Sequence, residues 1–265
     1  MHALFTQIRS WRHAFSLRIS ERLRVSRGVY REKPAERLTN LTARQQDRVS
    51  QLSERYRVRF EQRLNRRTSL NNYEYLDMLD RAWRAWGDTV PIGRDLTDVG
   101  CASFWYAEAL QAFFLPRSLV GVEVEGYRLF RNGHSRIDYA TGYLAAMPGS
   151  EFVVANYADC SRPADLITAW FPFLTPTAIL AWRLPLSLLT PARLFGRIRH
   201  NLNEGGVFLM ANQGSEEAQL AQNYCIAAGM RCLGRHEEVG VFSAYRSTPP
   251  VLSCWSGSAV SGPSP

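Results

Sequence analysis

The sequence predicts an α/β fold: a doubly wound, mainly parallel sheet with a C-terminal antiparallel strand pair, preceded by an N-terminal helical segment. Three observations carry this. Short apolar, β-rich runs recur at residues 96–99, 119–124, 152–156, 166–170 and 206–211, separated by helical patterns. The stretch Thr97-Asp98-Val99-Gly100-Cys101-Ala102-Ser103-Phe104-Trp105 reads as a strand end, a tight turn and a helix start, with Gly100 free to take positive φ. Residues 230–235 and 239–246 read as two strands joined near Glu237-Glu238, an antiparallel pair at the sheet edge.

A chain of 265 residues, 46% hydrophobic, holds one sizeable domain plus an appendage. No apolar run reaches the length of a membrane-spanning helix. The net charge of +8 is uneven. Residues 1–67 carry 17 basic and 6 acidic side chains, a net +11, which leaves −3 for the rest. Cys101, Cys160, Cys225, Cys232 and Cys254 are odd in number and lack C-x-x-C spacing. That argues against a disulfide framework or a zinc site, and fits a reducing, cytoplasmic setting.

Three regions follow: a basic helical segment at 1–67, the α/β domain with its leading helix at 68–247, and a tail at 248–265 rich in Ser, Gly and Pro, expected to be disordered. Residues 1–20 contain no acid, and Leu4, Ile8, Trp11, Phe15 and Ile19 recur at helical spacing among Arg9, Arg12 and Arg18. Three readings compete: a helix packed on the domain, a basic amphipathic helix on an anionic membrane or partner, and an organellar targeting peptide. A second helix is expected over 44–64, with Val49, Leu52, Tyr56, Phe60 and Leu64 on one face and Arg on the other. No zinc finger or helix-turn-helix accompanies it, so a solvated face is favoured over nucleic-acid binding.

A leading helix at 70–92 has Asn71-Asn72 as its cap, Gly87 and Pro91 as its end, and Tyr73, Tyr75, Leu76, Leu79, Trp83 and Trp86 as its apolar side. Those rings suit a core or the wall of a substrate pocket. Further helices fit 105–114, 127–144, 191–202 and 215–228.

In such a sheet, ligands sit beyond the carboxyl ends of the strands. Asp98 and Gly100 end the first strand. Glu123 ends the second, at the distance where an acid accepts ribose hydroxyls in nucleotide-binding folds. Asp159 follows the third and suits an exocyclic amine or a helix cap. Trp170-Phe171-Pro172-Phe173 follows the fourth, and Asn212-Gln213-Gly214 the fifth. Asn212 and Gln213 suit substrate contact or a helix-capping loop.

This series resembles the class I S-adenosylmethionine-dependent methyltransferases over about residues 94–247. Asp98-Val99-Gly100-Cys101 is similar to their first motif, Asp/Glu-x-Gly-x-Gly-x-Gly. Gly121-Val122-Glu123 resembles the ribose-binding strand end, and Ala158-Asp159 the motif that meets the adenine. Leu202-Asn203-Glu204-Gly205-Gly206 resembles the turn into the fifth strand. The resemblance implies a Rossmann-like fold, S-adenosyl-L-methionine as cofactor, and Asp98, Gly100, Cys101, Glu123, Asp159 and Trp170 as its binding residues. Phe171, Phe173, Asn212 and Gln213 then fall to the substrate, which the aromatic rim marks as a small-molecule or lipid-like acceptor.

Three positions depart from the pattern. Ala102 and Phe104 replace the second and third glycines, where a Cβ at positive φ costs about 1–2 kcal/mol. Trp170 stands where base-methylating relatives have Asn or Asp, which argues against base methylation. Candidate bases, needed only if the acceptor must lose a proton, are His134, Asp138 and Tyr139, and also His200 and His236. The alternative is a degenerate methyltransferase-fold protein that serves as an interaction module, its basic N-terminal segment offering a membrane or protein surface. A nicotinamide-dependent oxidoreductase is disfavoured by the missing Gly-x-Gly-x-x-Gly.

Overall fold

The structure, a computed structural model, describes residues 2–237, 239–242 and 248–257. The chain begins with α1 (His2–Leu23), an extended arm, and α2 (Ala43–Tyr56). Thr42 and Gln45 form a capping box at the start of α2. The helix ends at Tyr56, short of the expected 64, with Arg57 in the left-handed region, and Phe60–Gln62 forms a 3₁₀ turn.

Next comes α3 (Arg66–Trp86), the leading helix. It starts at Arg66, before the expected 70, and its cap is Asn65 rather than Asn71-Asn72, because the Asn65 side chain accepts the Thr68 N–H at 3.0 Å. Gly87, at φ 69°, ends it as expected. Helix α2 docks on α3 through buried acids. Arg48 meets Asp77 at 2.5 Å and Asp80 at 2.7 Å, and the Tyr56 hydroxyl donates to Asp80 at 2.7 Å. Part of the basic charge of residues 1–67 is therefore spent inside the fold. Leu52, Phe60 and Leu64 also join the main core.

The sheet then builds from β1 (Asp95–Val99), α4 (Ala107–Phe114), β2 (Ser118–Glu123), α5 (Arg136–Leu144), β3 (Ser150–Val154) and β4 (Ala164–Trp170). It continues with α6 (Pro176–Ala181), α7 (Pro191–Asn201), β5 (Leu202–Gln213) and α8 (Gly214–Ala227). It closes with β6 (Arg231–Glu237) and β7 (Pro250–Ser256). The strand order is β3-β2-β1-β4-β5-β7-β6, and the first five strands pair in parallel. The order reverses between β1 and β4, which puts the switch point there. One face buries Leu76, Leu79, Phe104, Phe114, Trp170 and Leu252, and the other Ile167, Phe195, Phe208, Met210 and Trp255.

Three expectations are corrected. The antiparallel pair exists, and the strand paired with β6 is β7. Of the expected 239–246, residues 239–242 form no strand and 243–246 lie outside the described residues. The chain beyond Ser247, expected to be disordered, supplies β7, which is buried along its length and antiparallel to both β5 and β6. Residues 258–265 lie outside the described residues.

The expected helix over 127–144 shrinks to α5, because Ser135 and Asp138 form a capping box that starts it at Arg136. Likewise α4 begins at Ala107, after the turns that hold Trp105 and Tyr106.

Candidate active site

The loop after β1 keeps a glycine backbone without the glycines. Gly100, Ala102 and Phe104 have φ of 73°, 53° and 57°, so every second residue is left-handed. Phe171, directly after β4, is left-handed too, at φ 56°. Each non-glycine residue there costs of order 1 kcal/mol, and such strain collects where a fold must hold a set shape.

The side chains explain how the loop tolerates the exchange. The Phe104 ring turns down into the core, fully buried. It packs over Gly121 of β2, where a Cβ would lie 2.7 Å from the ring and 2.8 Å from the Cys101 Sγ. Gly121 is therefore glycine because Phe104 and Cys101 fill its space. Ala102 adds only a methyl group. A Cβ built on Gly100 would meet nothing within 4 Å, so the mouth of the loop is open.

Glu123 ties this loop to β2. Its Oε2 accepts the Ala102 N–H at 2.8 Å, and its Oε1 accepts the Glu125 N–H at 2.8 Å. The buried guanidinium of Arg136 lies 3.2 Å from Glu123 and 3.2 Å from Glu125. Arg128 also reaches Glu125 at 2.8 Å. Arg136 was missed in the sequence, although it sits among Ala140, Tyr143 and Leu144 on the buried side of α5. An Arg in an apolar stripe signals a buried acid partner.

Asp98 is fully buried beneath the loop. Its carboxylate accepts the Thr168 hydroxyl at 2.5 Å and the Tyr106 hydroxyl at 2.6 Å. Burial pushes its pKa up to about 7, against the pull of those two hydrogen bonds. Asp98 thus fastens β1 to β4 and to Tyr106. Tyr106 stacks on Tyr75, ring centroids 4.3 Å apart, and Trp170 lies 4.5 Å from Tyr75. Tyr75 and Trp170 are core at this point, as are Tyr73 against Phe60 and Trp83 against Phe113 and Phe114. Burial also pushes the Cys101 thiol far up, which rules it out as a nucleophile.

The other expected residues divide. Asp159 stands in a 3₁₀ turn after β3, half-exposed, paired with Arg193 and accepting from Asn156 Nδ2 at 2.9 Å. Phe171 and Phe173 are half-buried on the rim. Asn212 is fully buried, and neither of its side-chain polar atoms has a hydrogen-bond partner among the described residues. Gln213 is exposed, and its N–H donates to Glu217 at 2.7 Å.

His134, Asp138 and Tyr139 do not join the strand ends. All three hold the arm that follows α1. Asp138 accepts the Ser26 hydroxyl and, at 3.0 Å, the Arg27 N–H. Tyr30 stacks on Tyr139 at 3.8 Å, and the His134 Nδ1 lies 3.1 Å from the Gly28 carbonyl oxygen. His134 precedes the Ser135 cap of α5, with its Nδ1 3.8 Å from Asp138. His200 lines a shallow hollow with Arg193 and Arg197 on α7, and His236 lies in β6. Among the described residues no cluster suits a metal ion.

No protein-family model matches the sequence, and no curated protein does. Solved structures do resemble the fold. A SAM-dependent methyltransferase from Aquifex aeolicus is 13% identical with a TM-score of 0.50, over 68% of this chain and 90% of that one. N-methyltransferase NodS from Bradyrhizobium japonicum is 11% identical at 0.48, over 70% and 95%. The ribosomal protein L11 methylase from Lactobacillus delbrueckii subsp. bulgaricus is 14% identical at 0.47, over 72% and 79%. At these identities the likeness concerns the fold. With a parallel sheet that switches between β1 and β4 and an antiparallel strand set between β5 and β6, the chain has the Rossmann-like fold of the class I S-adenosylmethionine-dependent methyltransferases.

Proposed function

We propose that the chain is an S-adenosylmethionine-dependent methyltransferase acting on a small-molecule or lipid-like acceptor, in a reducing cytoplasm. One observation carries the reading. The β1 loop holds the left-handed backbone at Gly100, Ala102 and Phe104 even where the residues resist it. Glu123 holds the Ala102 N–H in that shape, which a ligand resting on the loop would use.

The residues present fit the cofactor. Gly100 leaves the mouth of the loop open, and Phe104, the bulkier departure, is turned away beneath it. Glu123, at the loop, would hold the ribose hydroxyls and share its carboxylate with Arg136. Asp159 would face the adenine once released from Arg193. When bound, the cofactor supplies an electrophilic methyl on a sulfonium, so alignment of the acceptor does much of the catalytic work. Phe171 and Phe173 give that acceptor an apolar rim. Asn212, at the end of β5, would offer it an amide that has no partner among the described residues. None of the three base candidates lies at the rim, which favours an acceptor that needs no side-chain base there.

The Arg136–Glu123 pair favours a second reading. It already neutralises the ribose acid, as in a fold that kept its shape and became an interaction module. Incubation with methyl-labelled S-adenosylmethionine and a panel of lipid extracts, small amines, carboxylates and phenols separates the two. Label in a small or lipid product that disappears in Asn212→Leu supports the methyltransferase. Binding of the cofactor without transfer to any acceptor class supports the module.

A further inference from the structure

Helix α1 is mounted inside out. Its small and polar side, Thr6, Ser10, His13, Ala14 and Ser20 around the buried Leu17, faces the protein. Ser10 accepts the Leu186 N–H at 2.9 Å, and Arg24, just past the helix, lies over the Tyr127 ring. The opposite side carries Leu4, Phe5, Ile8, Trp11, Phe15, Ile19 and Leu23, each between 41% and 68% exposed. Trp11 and Phe15 stack on one another at 5.8 Å on that side. A folded chain gains nothing from presenting these residues to water, and patches of this kind mark a contact surface.

The charge indicates what the surface meets. Arg12, Arg18 and Arg22 line or flank the stripe, and Glu21, the one acid of α1, lies away from it. A second copy of the chain would bring arginines against arginines. An anionic bilayer suits both features: the apolar stripe enters the headgroup–acyl boundary, Trp11 sits at that level, and the guanidiniums meet lipid phosphates. No described helix is long and apolar enough to cross a membrane, so the association is with the surface.

We propose that α1 docks the protein on an anionic lipid surface with its Leu4–Ile8–Trp11–Phe15–Ile19 stripe inserted. Because Ser10 and Arg9 reach the segment that follows β4, at Leu186 and Leu180, docking holds that end of the protein near the lipid. The inference does not depend on the methyltransferase reading.

The test is co-sedimentation of the full chain with vesicles of phosphatidylcholine alone or with about 30 mol% phosphatidylglycerol. The wild type is expected to bind the anionic vesicles at least about tenfold more tightly than the neutral ones, and less tightly at high salt. The variant Ile8→Ser/Trp11→Ser/Phe15→Ser should lose about tenfold or more with an unchanged melting temperature, since all three side chains are exposed. Arg12→Gln/Arg18→Gln should lose the preference for anionic lipid. Equal binding of the triple variant and wild type overturns the proposal. So does the absence of vesicle binding by the folded wild type. So does a wild-type dimer, dissociated by the triple variant, that ignores vesicles, because the stripe then belongs to a second copy.

Discussion

The Glu123 carboxylate accepts the main-chain N–H of Ala102 at 2.8 Å, so the acid that ends β2 clamps the loop that follows β1. The same carboxylate holds Arg136, and neither group is open to bulk water. Removing the one cation of a buried acid leaves its charge uncompensated. Arg136→Met, which strands Glu123 beside Glu125, should therefore cost about 3–5 kcal/mol in chemical denaturation. Glu123→Ala, which leaves Arg136 paired with Glu125 but frees the Ala102 N–H, should cost at least about 1–3 kcal/mol, and no cost would contradict the clamp.

Left-handed strain at Ala102 makes an inverted prediction. Glycine normally destabilises a folded chain by about 0.5–1 kcal/mol through the entropy of its unfolded state. At φ 53° that loss is offset by relief of about 1 kcal/mol, so Ala102→Gly should melt within about 2 °C of the wild type or above it. Ala109→Gly, inside α4, is the control and should fall clearly below. If both variants fall alike, Ala102 is not strained.

Phe104 and Gly121 should behave as one unit. Gly121→Ala places a methyl 2.7 Å from the Phe104 ring and should cost about 1–3 kcal/mol by overpacking. Phe104→Leu alone should cost about 1–2 kcal/mol. The double variant should cost less than the sum, by about 1 kcal/mol in a double-mutant cycle. Additivity would mean that the two do not touch.

Much of this was legible in advance, and the failures have physical causes. Strands β1 to β5 read clearly because strands covered on both faces are continuous apolar runs. Strand β7 did not, because Thr248-Pro249-Pro250 and the flanking serines look like a tail, while Val251–Trp255 are buried by β5 and β6, elements far away in sequence. The α5 start was visible as Ser135-x-x-Asp138, yet the apolar residues upstream of it suggested a longer helix. Glu123 and the loop were legible from spacing. Their partners Arg136 and Tyr106 were not, since a charge pair across two elements leaves no local pattern. His134, Asp138 and Tyr139 looked chemical because they are titratable. Their work, seen only in three dimensions, is to anchor the arm.

Asp98 should shape the pH dependence. Its pKa is raised by burial to about 7, so the folded state binds the proton more tightly than the unfolded chain. The stabilisation from this group is complete below the unfolded carboxylate range and is lost as pH rises to about 7, at up to about 1.4 kcal/mol per pH unit. Asp98→Asn should remove that slope between about pH 4 and 7, compared with the wild type by urea melts at each pH. Parallel curves would mean that Asp98 is ionised in the fold.

Asn212 offers a trade. Its amide is buried with neither polar atom paired among the described residues, a cost of about 1–3 kcal/mol. Asn212→Leu should match or exceed the wild type in stability while lowering turnover of any acceptor. A loss of several kcal/mol would show that the amide is bonded after all.

The most direct measurement is calorimetric titration of the full chain with S-adenosylmethionine, repeated with Glu123→Gln. The account predicts saturable binding to the wild type, weakened about tenfold or more, ~1.4 kcal/mol, in the folded variant. A folded wild type that takes up no S-adenosylmethionine at millimolar concentration would contradict it, and would leave the strained loop and the Glu123–Arg136 pair as parts of a fold used for contact alone.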